Sequence, residues 1–176
     1  MLALGLSLAA AQVFAQGCPA DSSAPPGTLL SIFVPERPVQ RLDRAQLDAQ
    51  PRAELIARRT VGAAASAPAV EQQTRYAGWL LRDVLLKAIG AGPAGERAMR
   101  GVVFEAIATD NYRAVFSWGE LFNSAVADQV LVITAVDGQQ LGSDQGPLAL
   151  RSLSDLRPGP RHVRNLCALV VRPMAR

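Results

Sequence analysis

Short apolar runs separated by turn-forming residues dominate the chain and predict β-strands. Runs rich in branched and aromatic residues predict strands at "TLLSIFV", "AELIARRTV", "GVVFEAIAT", "YRAVFS", "DQVLVITAV", "GPLALRSL" and "VRNLCALVV". Asp137 and Gly138, which follow one of these runs, are the strongest signal for a tight hairpin. We therefore expect several strands joined by short turns.

Helical spacing is clearest in "YAGWLLRDVLLKAIGAG", where one apolar stripe is formed by Leu80, Leu81, Val84, Leu85 and Ala88. Gly90 predicts the end of this helix. Two shorter helices are predicted at "LDRAQLDAQ", with Asp43 as the cap, and at "SWGELF", where Ser117 and Glu120 form a capping box. The low-complexity stretch "GAAASAPAVEQQT" predicts a loop.

This order of elements predicts an α+β fold with mixed or antiparallel β-sheets and two or three short helices. A chain of 176 residues fits one domain. An apolar run ending in small residues predicts a signal peptide at 1–15, followed by a flexible tail at 16–27 and a single domain at 28–173. That run is shorter than the ~20 residues of a membrane-spanning helix. We therefore expect a periplasmic or secreted protein without a stable transmembrane segment in the mature chain.

The composition excludes several classes of function. The net charge is +3, yet the arginines are scattered and aromatic residues make up only 5% of the chain, so we expect no nucleic-acid partner. No glycine-rich nucleotide loop follows a strand. Ser-His-Asp catalysis would depend on His162 as its only base, and no serine lies in a nucleophile-elbow motif. Self-contained hydrolase chemistry is therefore not predicted.

Cys18 and Cys167 are the only cysteines of the sequence. An oxidising compartment favours a disulfide between them, which would tie the mature N-terminus to the last strand. Alternatively, Cys167 is a buried small apolar residue, and Cys18, which follows a glycine, carries a lipid. Two cysteines and one histidine are too few for a dedicated zinc site, so we assign no metal ligands.

Several stretches in a fixed order carry a family resemblance: "YAGWLLRDVLLKAIG", "ATDNYRAVFSWGEL", "VLVITAVDGQQLGSDQGPLAL" and "RHVRNLCALVV". Their succession resembles the small secreted members of the sulfite oxidase-type molybdopterin-binding family. That family shows a G-x-x-L-x-D-x-L helix, an A-x-D-G-Y turn, a D-G-x-x-L hairpin leading to G-P-L, and a basic pair before the final strand. The resemblance spans about Thr28 to Pro173 and implies the mixed-sheet fold of the family and a site for molybdopterin with its phosphate.

The turn after "FEAIAT" is one candidate wall of that site. Asp110 and Tyr112 match the family turn, and Asn111 replaces its glycine. Asparagine tolerates a left-handed backbone better than other non-glycine residues, so the turn geometry can survive. Alternatively, these residues only close a hairpin, because such residues dominate turns for conformational reasons.

The stretch "GPRHVRNL" is the other candidate wall. Arg161 and Arg164 match the basic pair of the family, with His162 between them. Arginine is well suited to bidentate contact with a phosphate. The resemblance thus implies cofactor contacts here and at the turn. The alternative is a solvated pair of arginines at the start of a strand, beside a partly exposed histidine.

One departure from the family weighs against catalysis. Catalytic members bind molybdenum through a cysteine thiolate after the strand that corresponds to "AELIARRTV", and the region from Leu55 to Thr74 contains no cysteine. A hydroxyl of Thr60 or Ser66 cannot replace a soft thiolate ligand. We assign no catalytic residue. Three hypotheses remain: a binding module for a small ligand or a periplasmic protein partner, a molybdopterin-dependent oxidoreductase or subunit of one, and a purely structural secreted domain.

Overall fold

The computed structural model describes residue 18 and residues 24–61, 70–90, 97, 99–157 and 159–174. The predicted signal peptide at 1–15 lies outside these residues, as do most of the predicted tail and the loop at 62–69. The strands are β1 Leu30–Phe33, β2 Gln40–Leu42, β3 Ala53–Val61, β4 Val70–Leu80, β5 Val102–Ala108, β6 Arg113–Ser117, β7 Val130–Val136, β8 Gln139–Gln140, β9 Ala149–Ser152 and β10 Leu166–Pro173. The described helices are α1 Arg44–Asp48, α2 Leu81–Ile89, α3 Trp118–Phe122 and a 3-10 turn at Ala125–Gln129.

The strands form two sheets. The first has the order β2-β1-β10-β5-β6 and is mixed, because β1 runs parallel to β10 while its other pairs are antiparallel. The second has the order β3-β4-β7-β8, with β9 also paired to β7, and is antiparallel throughout. The predicted α+β class with mixed and antiparallel sheets is confirmed.

Two clusters of buried side chains divide the interior. The main core combines both sheets with α2 and includes Trp79, Phe104 and Phe116. The second, which we name the small cluster, contains Ala57, Tyr76, Leu131, Ile133 and Ala149 of the second sheet. Because successive strand residues point to opposite faces, the second sheet is buried on both faces.

The predicted helix at "YAGWLLRDVLLKAIGAG" is wrong in its first turn. Its opening residues belong to β4, and α2 begins only at Leu81. The cause is tertiary: β4 pairs with β7, and a Cβ on Gly78 would lie 2.0 Å from the carbonyl oxygen of Val132. Strand pairing therefore overrides the helical spacing. Gly90 ends the helix as predicted, with a φ of 77°.

The predicted loop "GAAASAPAVEQQT" is also wrong in part. Val70–Leu80 is one continuous strand, and its first residues pair with the end of β3 from Val61 back to Ala57. A polar sequence forms a strand here because the long β3–β4 hairpin supplies backbone hydrogen bonds that composition does not reveal. The remainder of the predicted loop lies outside the described residues.

A disulfide joins Cys18 to Cys167 on β10, with a Cα–Cα distance of 5.9 Å. The sequence leaves open whether the two cysteines form a disulfide, and in the structure they do. The bond links residue 18 to a central strand of the first sheet. Cross-links that close so long a loop act mainly by restricting the unfolded chain.

Candidate functional site

The turn between β5 and β6 is exposed and is stabilised by hydrogen bonds among its own residues and Arg113. The Asp110 carboxylate accepts a hydrogen bond of 2.9 Å from the backbone N–H of Tyr112. Asn111 has a φ of 69°, which is the left-handed conformation that glycine adopts most readily. Its side-chain oxygen accepts hydrogen bonds from the Arg113 guanidinium at 3.1 and 2.8 Å. The asparagine thus forms the turn without the family glycine.

The turn contacts the loop that carries the predicted basic pair. Tyr112 donates a hydrogen bond from its hydroxyl to the carbonyl oxygen of Pro160, at 2.8 Å. The backbone N–H of Thr109 donates to the carbonyl oxygen of Asn165, at 3.1 Å. Two stretches that are about 50 residues apart in sequence therefore lie side by side at one end of the first sheet.

Arg161 is enclosed by protein carboxylates. Its Nε and Nη2 both donate to Asp155, and its Nη1 donates to Glu120 at 2.7 Å. The guanidinium carbon lies 4.8 Å from the centre of the Phe116 ring, and 23% of the side chain is exposed. The hydrogen bonds from Arg161 lower the pKa of Asp155. Arg161 is therefore bound to the protein rather than presented to a ligand.

His162 and Arg164 point away from this carboxylate pair. Val163 between them forms an isolated antiparallel bridge with Leu150, with N–O distances of 2.8 and 2.9 Å. Leu150 and Val163 are both buried in the main core. In an antiparallel bridge the flanking residues face each other on the opposite side, so His162 lies across from Arg151.

Arg59 and Arg151 complete a group of positive side chains on that side of the second sheet. Arg151 follows Ala149 by two positions and lies with its guanidinium carbon 5.0 Å from the centre of the Tyr76 ring. Arg59 follows Ala57 by two positions on β3, and both alanines belong to the small cluster. Residues two apart on a strand share a face. We call Arg59, Arg151, His162 and Arg164 the basic cluster.

Three buried nitrogen atoms of the basic cluster make no hydrogen bond within the described part of the chain. They are Arg59 Nη2, Arg151 Nε and His162 Nε2. Arg164 differs, because its side chain is 57% exposed and its Nη1 lies 3.8 Å from Asp144. The other three residues therefore contribute buried nitrogen atoms for which the described residues supply no partner.

Positive charge predominates in the basic cluster. Burial lowers the pKa of His162 to about 4, and the charges of Arg151 and Arg164 act in the same direction, against a smaller opposing effect of Asp144. Burial also lowers the pKa of Arg151; Tyr76 opposes this effect, and Arg59 and Arg164 reinforce it. At neutral pH the imidazole is thus neutral and the guanidinium groups remain charged.

Sequence reasoning missed Arg59, Arg151 and Tyr76. Each arginine follows a small core-facing residue by two positions, as in "ARR" on β3 and "ALR" on β9. The sequence signal for these residues is an arginine on the same face of a strand as a buried residue. The signal is informative only once the strand pairing is known, because the pairing decides which face of the strand is buried.

The residues present do not fit the molybdenum centre of the resembling family. The sequence contains two cysteines, and the disulfide occupies both. No thiolate remains for a metal that takes a soft ligand. Within the described ranges, no group of three or more histidine, cysteine, aspartate or glutamate residues could hold a metal ion. None of the described helices is long and apolar enough to cross a membrane.

Comparison with known proteins gives a relationship at the level of the fold. The chain has the α+β fold of the sulfite oxidase type, and among solved structures it is similar to the sulfane dehydrogenase SoxCD from Paracoccus pantotrophus. The TM-score is 0.56, the sequence identity is 16%, and the match covers 81% of this chain and 37% of that chain. This chain thus spans little more than a third of the length of that relative. No protein-family model and no curated protein matches the sequence.

Proposed function

We propose that this chain is an exported domain of the sulfite oxidase-type fold that binds a small ligand without a thiolate-ligated molybdenum centre. The observation that carries the proposal is the disulfide between Cys18 and Cys167, which uses every cysteine of the sequence. A protein with this fold and no free thiol lacks the ligand on which the redox chemistry of the resembling family depends. Its buried polar atoms without partners favour a binding function over a purely structural domain.

The proposed export is supported by two independent features. The apolar run ending in small residues within 1–15 has the composition of a signal peptide. A disulfide between the only two cysteines persists best in an oxidising compartment. N-terminal sequencing of the protein from the periplasm of a bacterial host is expected to begin near Gln16. Recovery of uncleaved protein in the cytoplasm would contradict export.

The alternative is a cofactor-binding protein that holds a pterin through Arg161, Arg164 and the Asp110 turn. The contact between Tyr112 and Pro160 favours it, because the turn and the basic loop adjoin. Arg161 weighs against it, since a pterin phosphate would have to displace Asp155 and Glu120 from that guanidinium. The described geometry therefore favours a ligand at the basic cluster.

Molybdenum and pterin content separate the two functions. The protein is purified from the periplasm of a bacterium that makes the cofactor, and elemental analysis is combined with fluorescence detection of oxidised pterin. We expect far less than one molybdenum and one pterin per chain. Content near one of each, lost in Arg164→Ala and kept in the exposed control Arg58→Ala, would overturn the proposal in favour of the cofactor-binding protein.

A further inference from the structure

We propose that Arg59, Arg151 and His162 form a proton-linked binding site for a small dianionic oxyanion. This inference rests on the proposed ligand-binding role of the domain and assigns that role a place and a ligand class. The site lies at the edge of the small cluster, where the bridge between Leu150 and Val163 brings the loop of His162 against β9.

The first argument is the concentration of buried nitrogen atoms without a hydrogen-bond partner. Five buried side-chain nitrogens lack a hydrogen-bond partner among the described residues, and three of them belong to this site. The other two, on Gln50 and Trp79, are single atoms elsewhere in the fold. A buried donor without an acceptor costs about 1–3 kcal/mol. Two guanidinium donors and a neighbouring imidazole nitrogen, all without partners, are explained by a ligand that arrives from outside.

The second argument is the sign and balance of the local charge. The carboxylates near the site are those of Asp144 and Asp155. Asp144 lies 3.8 Å from Arg164, and both carboxylate oxygens of Asp155 accept hydrogen bonds from Arg161. Neither forms a hydrogen bond with Arg59 or Arg151 in the described structure. The charges of Arg59 and Arg151 act on each other, and Arg59 also acts on Asp155, whose oxygens are already bound to Arg161. No described carboxylate is in hydrogen-bond contact with either guanidinium, so an anion of charge near −2 would balance them.

The third argument is the shape of the donors, which sets the ligand class. A guanidinium presents its N–H groups in a planar fork that matches the paired oxygens of a phosphate or sulfate group. Arg151 is held in place by its stacking on Tyr76. Two such forks and an imidazole nitrogen suit a compact tetrahedral oxyanion. The same group can come from a free ion or from the end of a monoester, and the experiment separates these sources.

Proton linkage follows from the groups that face His162. The charged neighbours of His162 are Arg151 on β9, Arg164 on the loop of His162 itself, and Asp144 on the loop after β8. Arg59 and Tyr76 are in turn neighbours of Arg151. The positive neighbours disfavour the imidazolium in the free protein. A bound dianion reverses their effect, so it raises the pKa of His162, and by reciprocity protonation tightens anion binding.

The experiment measures the binding of inorganic phosphate by isothermal titration calorimetry at constant ionic strength. The protein is the oxidised full-length mature chain, and acetate, sulfate and glycerol 2-phosphate are titrated in parallel. The variants are Arg59→Gln, Arg151→Gln and His162→Gln. The matched control is Arg58→Gln, because Arg58 is the next residue on β3 and its side chain is 67% exposed. Arg151→Lys, which keeps the charge without the fork, serves if Arg151→Gln does not fold.

We expect phosphate and sulfate to bind better than acetate, and Arg59→Gln and Arg151→Gln each to weaken binding by about tenfold or more. Arg58→Gln should change affinity by less than about twofold. Wild-type affinity for sulfate, which remains a dianion throughout this range, should rise as the pH falls from about 8 to about 5, and His162→Gln should abolish that rise. Equal binding of glycerol 2-phosphate would identify an ester group as the ligand, and its exclusion would identify the free ion; both support the site.

Three results would overturn the inference: no phosphate binding by the wild type, equal losses in Arg58→Gln and Arg151→Gln, or a sulfate affinity that does not change with pH. Molybdenum and pterin are measured on the same preparation. Protein that is free of both and fails to bind phosphate refutes only the oxyanion site. Stoichiometric molybdenum and pterin refute the proposed function, whatever the phosphate result.

Discussion

Arg161 and Arg151 lie in similar surroundings but differ in what their guanidinium groups bind. Both lie over an aromatic ring, at 4.8 Å from Phe116 and 5.0 Å from Tyr76. Arg161 donates to two carboxylates, whereas Arg151 has a buried Nε without a hydrogen-bond partner in the described structure. An arginine that is surrounded by its own acids stabilises the fold. One whose buried Nε has no such partner costs stability and remains available to an external anion.

The largest expected effect comes from removing Arg161. Arg161→Met leaves the half-buried carboxylates of Asp155 and Glu120 without their hydrogen-bond donor. We therefore expect the free energy of unfolding to fall by roughly 2–3 kcal/mol, somewhat less than for a fully buried pair. Urea unfolding followed by circular dichroism measures the change. Arg58→Met is the control and should lose less than ~0.5 kcal/mol. Equal losses in the two variants would show that the carboxylate pair contributes nothing specific.

The opposite expectation applies to Arg151. In phosphate-free buffer, Arg151→Met removes a half-buried charge with an unsatisfied Nε but also its contact with Tyr76, so stability should stay within ~1 kcal/mol of the wild type. Phosphate should then raise the unfolding midpoint of the wild type and leave that of the variant unchanged, because only a state that binds a ligand is stabilised by it. A loss as large as that of Arg161→Met would make Arg151 a structural residue.

His162 adds a pH dependence that Arg161 lacks. Its pKa is about 4 in the folded chain and near 6.5 when unfolded. The unfolded state therefore binds a proton first as the pH falls below about 6.5, and stability is lost progressively down to about pH 4. Allowing for partial solvent screening, we expect the wild type to lose on the order of 1 kcal/mol more than His162→Gln between about pH 7 and pH 5.

Urea unfolding of both proteins at the two pH values measures this difference. NMR titration of the single imidazole gives its pKa directly, and phosphate should raise that value. An imidazole that titrates near 6.5 in the folded protein would show that the site is solvated and not buried.

Local chemistry made part of the structure predictable from sequence. Asp43 and Ser117 cap α1 and α3 as their sequences indicate, and the structure has a capping box at each. Caps and turns depend on residues three or four positions apart, so one sequence contains the whole interaction. The start of α2 was not predictable in this way, because Gly78 and Trp79 are drawn into β4 by pairing with β7.

The candidate site likewise has a part that depends on local contacts and a part that depends on residues far apart in sequence. The turn at Asp110 and the tolerance of Asn111 for a left-handed backbone could be predicted, because the turn is a local structure. The basic cluster could not, because Arg59 and Arg151 are about 90 residues apart and meet only after the second sheet forms. Likewise, no local pattern marks Asp155 and Glu120 as the acceptors that occupy Arg161.

The smallest expected effect tests whether the Asp110 turn belongs to the site. Tyr112→Phe removes one neutral hydrogen bond, from the hydroxyl to the Pro160 carbonyl, at a residue that is 42% exposed. We expect a stability loss of about 0.5–1 kcal/mol. Phosphate affinity should change by less than ~twofold, because the bridge between Leu150 and Val163 positions His162 independently of the turn.

A tenfold loss of phosphate affinity in Tyr112→Phe would argue the reverse. The loop of Arg161 and His162 would then depend on the turn for its position, and the site would extend from the second sheet to the end of the first. The double variant Tyr112→Phe with Arg151→Gln separates these cases. Additive losses place the turn in the fold alone, whereas a non-additive loss couples it to the anion site.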